Sequence, residues 1–368
     1  MVIPSFNYSQ FKQKHLLAVL FGLAYAVSSA GETLAIKSLN YNTPPLSLPG
    51  YTALLSNQMW IFMIPIYLYQ RRLSPSSMTM DNFVQYSGMG VLTFIVTILR
   101  SESVNVIPGS IFTILISTSI LFTMLLSYLF LNKKFNAWHI GAVACCIASA
   151  LSISISVFTS DTNGNFQVGI PSALGASFFV ACMTVWQEYL QSTWTDINMR
   201  IIEMTLIASL EAAALTVAYS TFTKEIVRWN SDLSSISASY QGMVLLACVS
   251  VALPLLKLLI RNSKYATIQY ANAFFFEFAQ ASGALLGSLA NILIFAEPWG
   301  PGYIVSLLLL AASFGIYMKA RLVSKQASVE KVVPPRAGHI EIVNPIEIVN
   351  PIEIKITYVQ KGPVESWK

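Results

Sequence analysis

The stretch Ile107–Phe135, IPGSIFTILISTSILFTMLLSYLFLNKKF, decides the fold. Its run of more than 20 predominantly apolar residues is long enough to cross a hydrocarbon core about 30 Å thick at ~1.5 Å per residue. It opens on Pro108 and Gly109, carries small hydroxyls along its length and closes on Lys133 and Lys134. Arg100 and Trp138 flank it, and Arg261 and Trp299, each 161 residues further on, flank a second apolar stretch. The same shift superimposes Gly141 on Gly302, Ala150 on Ala311 and Ser152 on Ser313. These coincidences read as an internal duplication.

Composition agrees with a membrane protein. The chain is 55% hydrophobic and 11% charged, with a mean hydropathy of +0.60, whereas a soluble domain carries about 25% charged residues. The net charge of +5 is therefore read as a topology signal, and no nucleic-acid partner is expected. The first residues include no short apolar core with a small-residue cleavage site, so the first span is expected to act as an uncleaved insertion signal. Cys145, Cys146, Cys182 and Cys248 lie in apolar spans and read as packing thiols. His15, His139 and His339 have no metal-ligand spacing, and no Walker A pattern or nucleophile–base constellation appears. No enzyme, cofactor or metal is expected.

Ten spans are expected, at roughly 16–36, 50–70, 83–99, 107–131, 138–158, 168–190, 201–221, 241–260, 266–295 and 301–320. The fold class is all-α: a polytopic bundle of ten transmembrane helices arranged as two inverted five-helix repeats, 16–158 and 168–320. A cytosolic segment, 1–15, precedes them and a tail expected to be disordered, 321–368, follows. With both termini cytosolic, the inside segments hold Lys12, Lys14, Arg71, Arg72, Lys133, Lys134, Arg200, Arg261, Lys264, Lys319 and Arg321. The outside segments hold only Lys37, Arg100, Lys224 and Arg228. Eleven against four fixes the orientation and requires an even number of spans.

The fourth and fifth spans map onto the ninth and tenth, five spans later, so the copies lie in opposite orientations. Lys133 and Lys134 lie inside, while their counterparts Ile294 and Phe295 lie outside beside Glu297. Inverted repeats of this kind characterise secondary transporters. A looser shift of 156 places Glu32 over Glu188. The tail carries Ile340-Glu341-Ile342-Val343-Asn344-Pro345, a second copy from Ile346 to Pro351 and a degraded third start at Ile352. Its prolines bar one continuous helix or strand. The Asn7-Tyr8-Ser9 sequon faces the cytosol on this topology and is expected to stay unmodified.

Ten spans, the inverted repeat, and an apolar fourth span ending in a Lys-Lys turn before an aromatic together resemble the drug/metabolite transporter superfamily. The match is strongest from Ile111-Phe112-Thr113 through Asn132-Lys133-Lys134-Phe135. Val185-Trp186-Gln187-Glu188-Tyr189 resembles the acidic-aromatic segment of the orphan branch of nucleotide-sugar-transporter-like carriers and of chloroquine-resistance-transporter-like proteins. Purine permeases share the layout. The resemblance implies solute exchange or proton-coupled transport by alternating access.

Charges at the centre of a span cost about 2.5–3.5 kcal/mol on insertion scales, so they need a partner, a cavity or a role. Glu211 and Glu277 meet that test in mid-span, and Lys257, near the expected inner end of the eighth span, has snorkelling as its alternative. Read as one helix, Gln269, Asn272, Phe276, Glu277 and Gln280 share a face. That arc suits a cavity wall or inter-helix hydrogen bonding. On the fourth span Thr113 and Ser117 share a face with Ser110, either lining the same cavity or bonding their own backbone. Asn57, Gln58 and Trp60 offer a polar pair and an indole for a planar solute, or packing. Arg100, Glu188 and Arg261 read as interfacial charges or as a gate.

These features predict a secondary active transporter moving a small polar, cationic or aromatic metabolite by alternating access, proton-coupled through Glu277 and Glu211. Nucleotide-sugar antiport is the first alternative. A non-transporting scaffold acting through the tail is the second. The expected partners are a small-molecule solute, protons and the lipid bilayer of an endomembrane (Golgi or vacuole) or the plasma membrane; a homodimer is compatible with the sequence.

Overall fold

A computed structural model of the chain describes residues 8–41, 49–73, 79–160, 166–194, 197–229, 234, 240–296 and 301–330. Among the described residues there is no strand. The principal helices are α1 (Tyr8–Tyr41), α2 (Pro49–Asn57), α3 (Trp60–Leu73), α4 (Met80–Val106), α5 (Gly109–Ile116) and α6 (Ser119–Leu131). They continue as α7 (Ala137–Ser160), α8 (Phe166–Thr193), α9 (Ile197–Phe222), α10 (Tyr240–Tyr270), α11 (Ala273–Phe295) and α12 (Pro301–Glu330). Nine helical stretches among the described residues, counting α5 with α6, are long and apolar enough to cross a membrane. The protein is a multi-pass integral membrane protein whose described secondary structure is all helical.

Three boundaries depart from expectation. The second span, expected as one helix over 50–70, is broken after Asn57. Gln58 N–H bonds Leu55 O at 3.2 Å and Ile61 N–H bonds Gln58 O at 3.1 Å, so the ladder tightens there to i→i−3 bonds. The fourth span breaks in the same way. Ser117 N–H and Thr118 N–H bond Ile114 O and Leu115 O, and both hydroxyls bond those same carbonyls at 2.6 and 2.8 Å. The third departure concerns the eighth span, which runs on to Tyr270 instead of stopping near 260. Asn272 then starts α11 by accepting the Phe275 N–H on its side-chain oxygen at 2.7 Å, an N-cap bond.

The extension of α10 to Tyr270, and of α4 to Val106 where the third span was expected to stop near 99, carries Arg261, Lys264 and Arg100 out of the expected loops and into helices. The count of eleven basic residues against four loses Arg261 and Lys264 from the first group and Arg100 from the second.

Lipid tails are as apolar as leucine, so close van der Waals fit holds these helices together more than a hydrophobic drive does. α1 packs on α10 and α11, α4 packs on α8 and α9, and α5–α6 touch both α8 and α11. Between α1 and α11 the fit comes from two stripes of small residues. Gly22, Ala26 and Ala30 meet Ala279, Gly283 and Gly287 in the same order, so the two helices run parallel with backbones close together. By contrast α5–α6 and α11 run antiparallel. Thr113 bonds Ser288 at 2.6 Å, Gln280 Nε2 bonds Ile116 O at 3.3 Å, and Thr123 bonds Glu277 at 3.0 Å. α7 and α12 are also antiparallel: Ser152, Ser149 and Ala142 bond Gly302, Ser306 and Ser313 in reversed order.

The chain divides into two compact units, Met1–Ser324 and Lys325–Lys368. The bundle lies in the first. Of the second, residues 325–330 are described, and they are helical. The repeats beginning at Ile340 and Asn7 of the sequon lie outside the described residues.

Candidate functional site

α10 provides the frame of the site. Lys257, Arg261 and Lys264 recur at i, i+4 and i+7, which puts all three on one face of a continuous helix. Each is at most 9% exposed. Because α10 continues past residue 260, Lys257 lies well inside the helix and does not snorkel. It pairs instead with Glu32 of α1 at 2.6 Å, and the same carboxylate takes Arg100 of α4 at 2.9 Å. Arg100 also lies over the Phe112 ring, 5.5 Å from its centroid. Arg261 donates to Thr93 of α4 at 2.7 Å, and Lys264 donates to Thr184 of α8 at 2.9 Å while lying over the Phe276 ring at 5.1 Å.

Glu277 sits one turn into α11 and is 1% exposed. Ser119 and Thr123, one turn apart on α6, both donate to its carboxylate. A directional chain leads there: Tyr25 OH donates to Gln280 Oε1 at 2.9 Å, and Gln280 Nε2 donates to Ser119 Oγ at 2.9 Å. The break in the fourth span makes this possible. Local tightening at Ser117–Thr118 releases the Ile116 carbonyl from the helical ladder, and the Gln280 amide takes it up. Thr184 lies beside both Lys264 and Glu277.

The other sequence candidates are dispersed. Glu211 faces α4, bonded by Ser87 and packed over Gly90, and is not in contact with Glu277. Gln269 ends α10 and Asn272 caps α11, so the face drawn through 269–280 as one helix is split between two. Thr113 meets Ser288, whereas Ser117 turns to Cys146 of α7 because the break rotates it. Asn57 is buried and donates to Thr216 at 3.2 Å; Gln58 and Trp60 are half-buried at the break and the start of α3. The two walls expected to face a cavity touch each other directly here.

Glu188 pairs with Lys133 at the Lys/Arg-rich end and accepts the Ala273 N–H at 3.2 Å. It thereby ties α8 to the α6–α7 turn and to the first residue of α11. A hollow of about 390 Å³ between α6 and α8 is lined by Leu126, Phe130, Cys182, Val185, Trp186 and Tyr189. Phe130 and Tyr189 are 71% and 53% exposed, so it opens on the outer, lipid-side surface, and its lining is almost wholly apolar.

Glu32, Thr93, Thr184, Tyr25, Ser119 and Thr123 join this network without standing out as candidates in the sequence, and Lys264 reads there only as a span-end cation. The i, i+4, i+7 spacing of the α10 cations was the available signal. It becomes visible only once the helix is carried through residue 264.

Residues 16–155 match the EamA-like transporter family. The match does not distinguish among nucleotide-sugar-like, chloroquine-resistance-like and purine-permease-like carriers. No curated protein matches the sequence. Among solved structures 28 chains match. One, described as "Crystal structure of protein", has a TM-score of 0.54 at 13% identity over 83% of this chain and 98% of its own. At that identity the likeness concerns the fold alone.

Proposed function

We propose that this protein is a secondary transporter of a small polar solute, with its transport site in the charged core and Glu277 as the proton acceptor. The observation that carries the reading is the gathering of six charged side chains, from α1, α4, α10 and α11, inside a membrane bundle. Such groups are expensive away from water and are kept for a pathway or a relay. The EamA-like match supports a transport role. The antiparallel pairing of α5–α6 with α11 and of α7 with α12 supports two inverted five-helix halves, ten spans in all with the second one broken. Discontinuous helices beside the site are in keeping with that class of carrier.

The coupling step follows from the bonds at Glu277. Two hydroxyls donate to its carboxylate. A proton on either oxygen makes that oxygen a donor, and the facing hydroxyl must turn its own hydrogen elsewhere and accept instead. Protonation therefore replaces charge-assisted bonds between α6 and α11 by weaker neutral ones, and these are the two walls that must part if the core is to open. Glu211 has no link to this network and is assigned to helix packing.

The test uses proteoliposomes with a trapped pH indicator, challenged in turn with nucleotide sugars, nucleobases, amino acids, dicarboxylates and thiamine-like cations. Solute-driven proton movement is expected with the wild type. It should be lost in Glu277→Gln, with the variant still folded by circular dichroism. Unchanged proton movement in the variant across a pH series would overturn the assignment of Glu277.

A further inference from the structure

The α10 cations are unequally satisfied. Lys257 has a carboxylate at 2.6 Å. Arg261 and Lys264 have none within ion-pairing distance among the described residues; each makes one hydrogen bond to a threonine hydroxyl. Both are nine-tenths buried. A guanidinium carries five donors in a planar fork, and here a single one is used by Thr93. The charged neighbours of Arg261 in this core, Lys257 and Lys264, are also cations; Lys264 has the Glu277 carboxylate near it, beyond ion-pairing distance. The sum over the core is uneven too: Arg100, Lys257, Arg261 and Lys264 face Glu32 and Glu277, an excess of two positive charges if all are ionised. An unpaired buried charge is retained against its desolvation cost only where something compensates it.

We infer that Arg261 and Lys264 form an anion subsite, and that the solute of this carrier is a small organic dianion bearing a carboxylate or phosphate group. The inference rests on the transport function proposed above and adds the substrate class to it. Arg261 supplies the fork that reads two oxygens of one such group. Lys264, one helical turn away, supplies a point charge. Thr93 and Thr184, which now occupy one donor each, become additional ligands or turn aside. Glu32 marks what an anion does in this core: its carboxylate, carried on the chain itself, bridges the other two cations. Two membrane carboxylates alone argue for a cationic solute. Four buried cations beside them reverse that argument.

The experiment is thermal unfolding of the purified full-length protein in detergent, titrated separately with glycerol 3-phosphate, succinate, acetate and choline. At least one of the two dianions should raise Tm in a saturable way, with acetate and choline much weaker. Glycerol 3-phosphate and succinate separate phosphate from carboxylate chemistry. In Arg261→Met and in Lys264→Met the dianion-induced shift should need at least tenfold more ligand. The ligand-free Tm of Arg261→Met should be no lower than wild type, because a buried charge with no carboxylate beside it has been removed. Arg261→Lys should retain part of the response. If neither dianion stabilises the wild type, or if the ligand-free Met variants lose stability while their dianion response is unchanged, the inference is overturned. Proton-coupled movement of a cation or neutral solute in the proteoliposome assay, without dianion binding, would remove the substrate class and leave the transport function standing. Dianion binding without movement of any solute would do the reverse.

Discussion

Glu32 is 1% exposed and holds Arg100 at 2.9 Å and Lys257 at 2.6 Å. Removing its charge leaves two cations buried without a carboxylate, which by precedent costs about 3–5 kcal/mol. Glu32→Gln is therefore expected to lower stability by that order, read by thermal unfolding of the purified protein. Lys257→Met in the same background should recover part of the loss, since one orphaned charge is then gone. A loss in the double variant equal to the sum of the single losses would show that the pair is not coupled. The sequence made the individual charges visible and concealed their pairing. Glu32, Arg100 and Lys257 are far apart along the chain, and each stood near an expected span end where an interfacial reading was natural. Glu277 stood out for the opposite reason, because a carboxylate in mid-span has no bland explanation.

At the scale of helices, apolar run length made most of the spans legible, and the internal shift relates α5–α6 to α11 and α7 to α12, elements that bond each other antiparallel. Breaks were not legible. The Ser117–Thr118 pair looks like two more small hydroxyls in a membrane helix, and only the facing Gln280 amide makes release of the Ile116 carbonyl tolerable. The end of α10 is not legible either, because Arg261 and Lys264 look like a cytoplasmic boundary whether they face water or the bundle. The small-residue stripes between α1 and α11 give this scale its prediction. A Cβ on Gly283 would lie 2.9 Å from Ala26 Cα and 3.2 Å from Ala26 O, so it meets backbone that cannot rotate away. Gly283→Ala should cost about 1–3 kcal/mol through overpacking. Gly315 of α12 has open space around its Cβ position, and Gly315→Ala should be neutral or slightly stabilising. Equal Tm values for the two variants would count against close α1–α11 packing as a determinant of the fold.

For the molecule as a whole, the core is closed to both ends: its six charged side chains are between 1% and 12% exposed. The ties at the two ends differ. At the end toward which α1 and α4 run, single hydrogen bonds connect the elements, Lys37 to Ile107 O at 2.9 Å, Gly50 N–H to Glu225 at 2.9 Å and Tyr219 to Glu102 at 3.1 Å. At the Lys/Arg-rich end an ion pair does so, with Glu188 joining Lys133 to the first residue of α11. Lys133 and Glu188 side chains are 28% and 17% exposed, so the pair is worth little as bulk stability. Its effect should instead be on which end opens. Glu188→Gln is expected to leave Tm within a few degrees of wild type while raising, several-fold, the rate at which a maleimide labels a thiol introduced by Ser127→Cys, a fully buried position on α6. The four native cysteines would first be replaced by serine. Exchanging the charges, Lys133→Glu with Glu188→Lys, should reverse only part of the change, because a lysine cannot accept the Ala273 N–H that Glu188 accepts. Labelling unaffected by either variant would mean that this end is held by helix packing alone, and the ion pair would then have no part in gating.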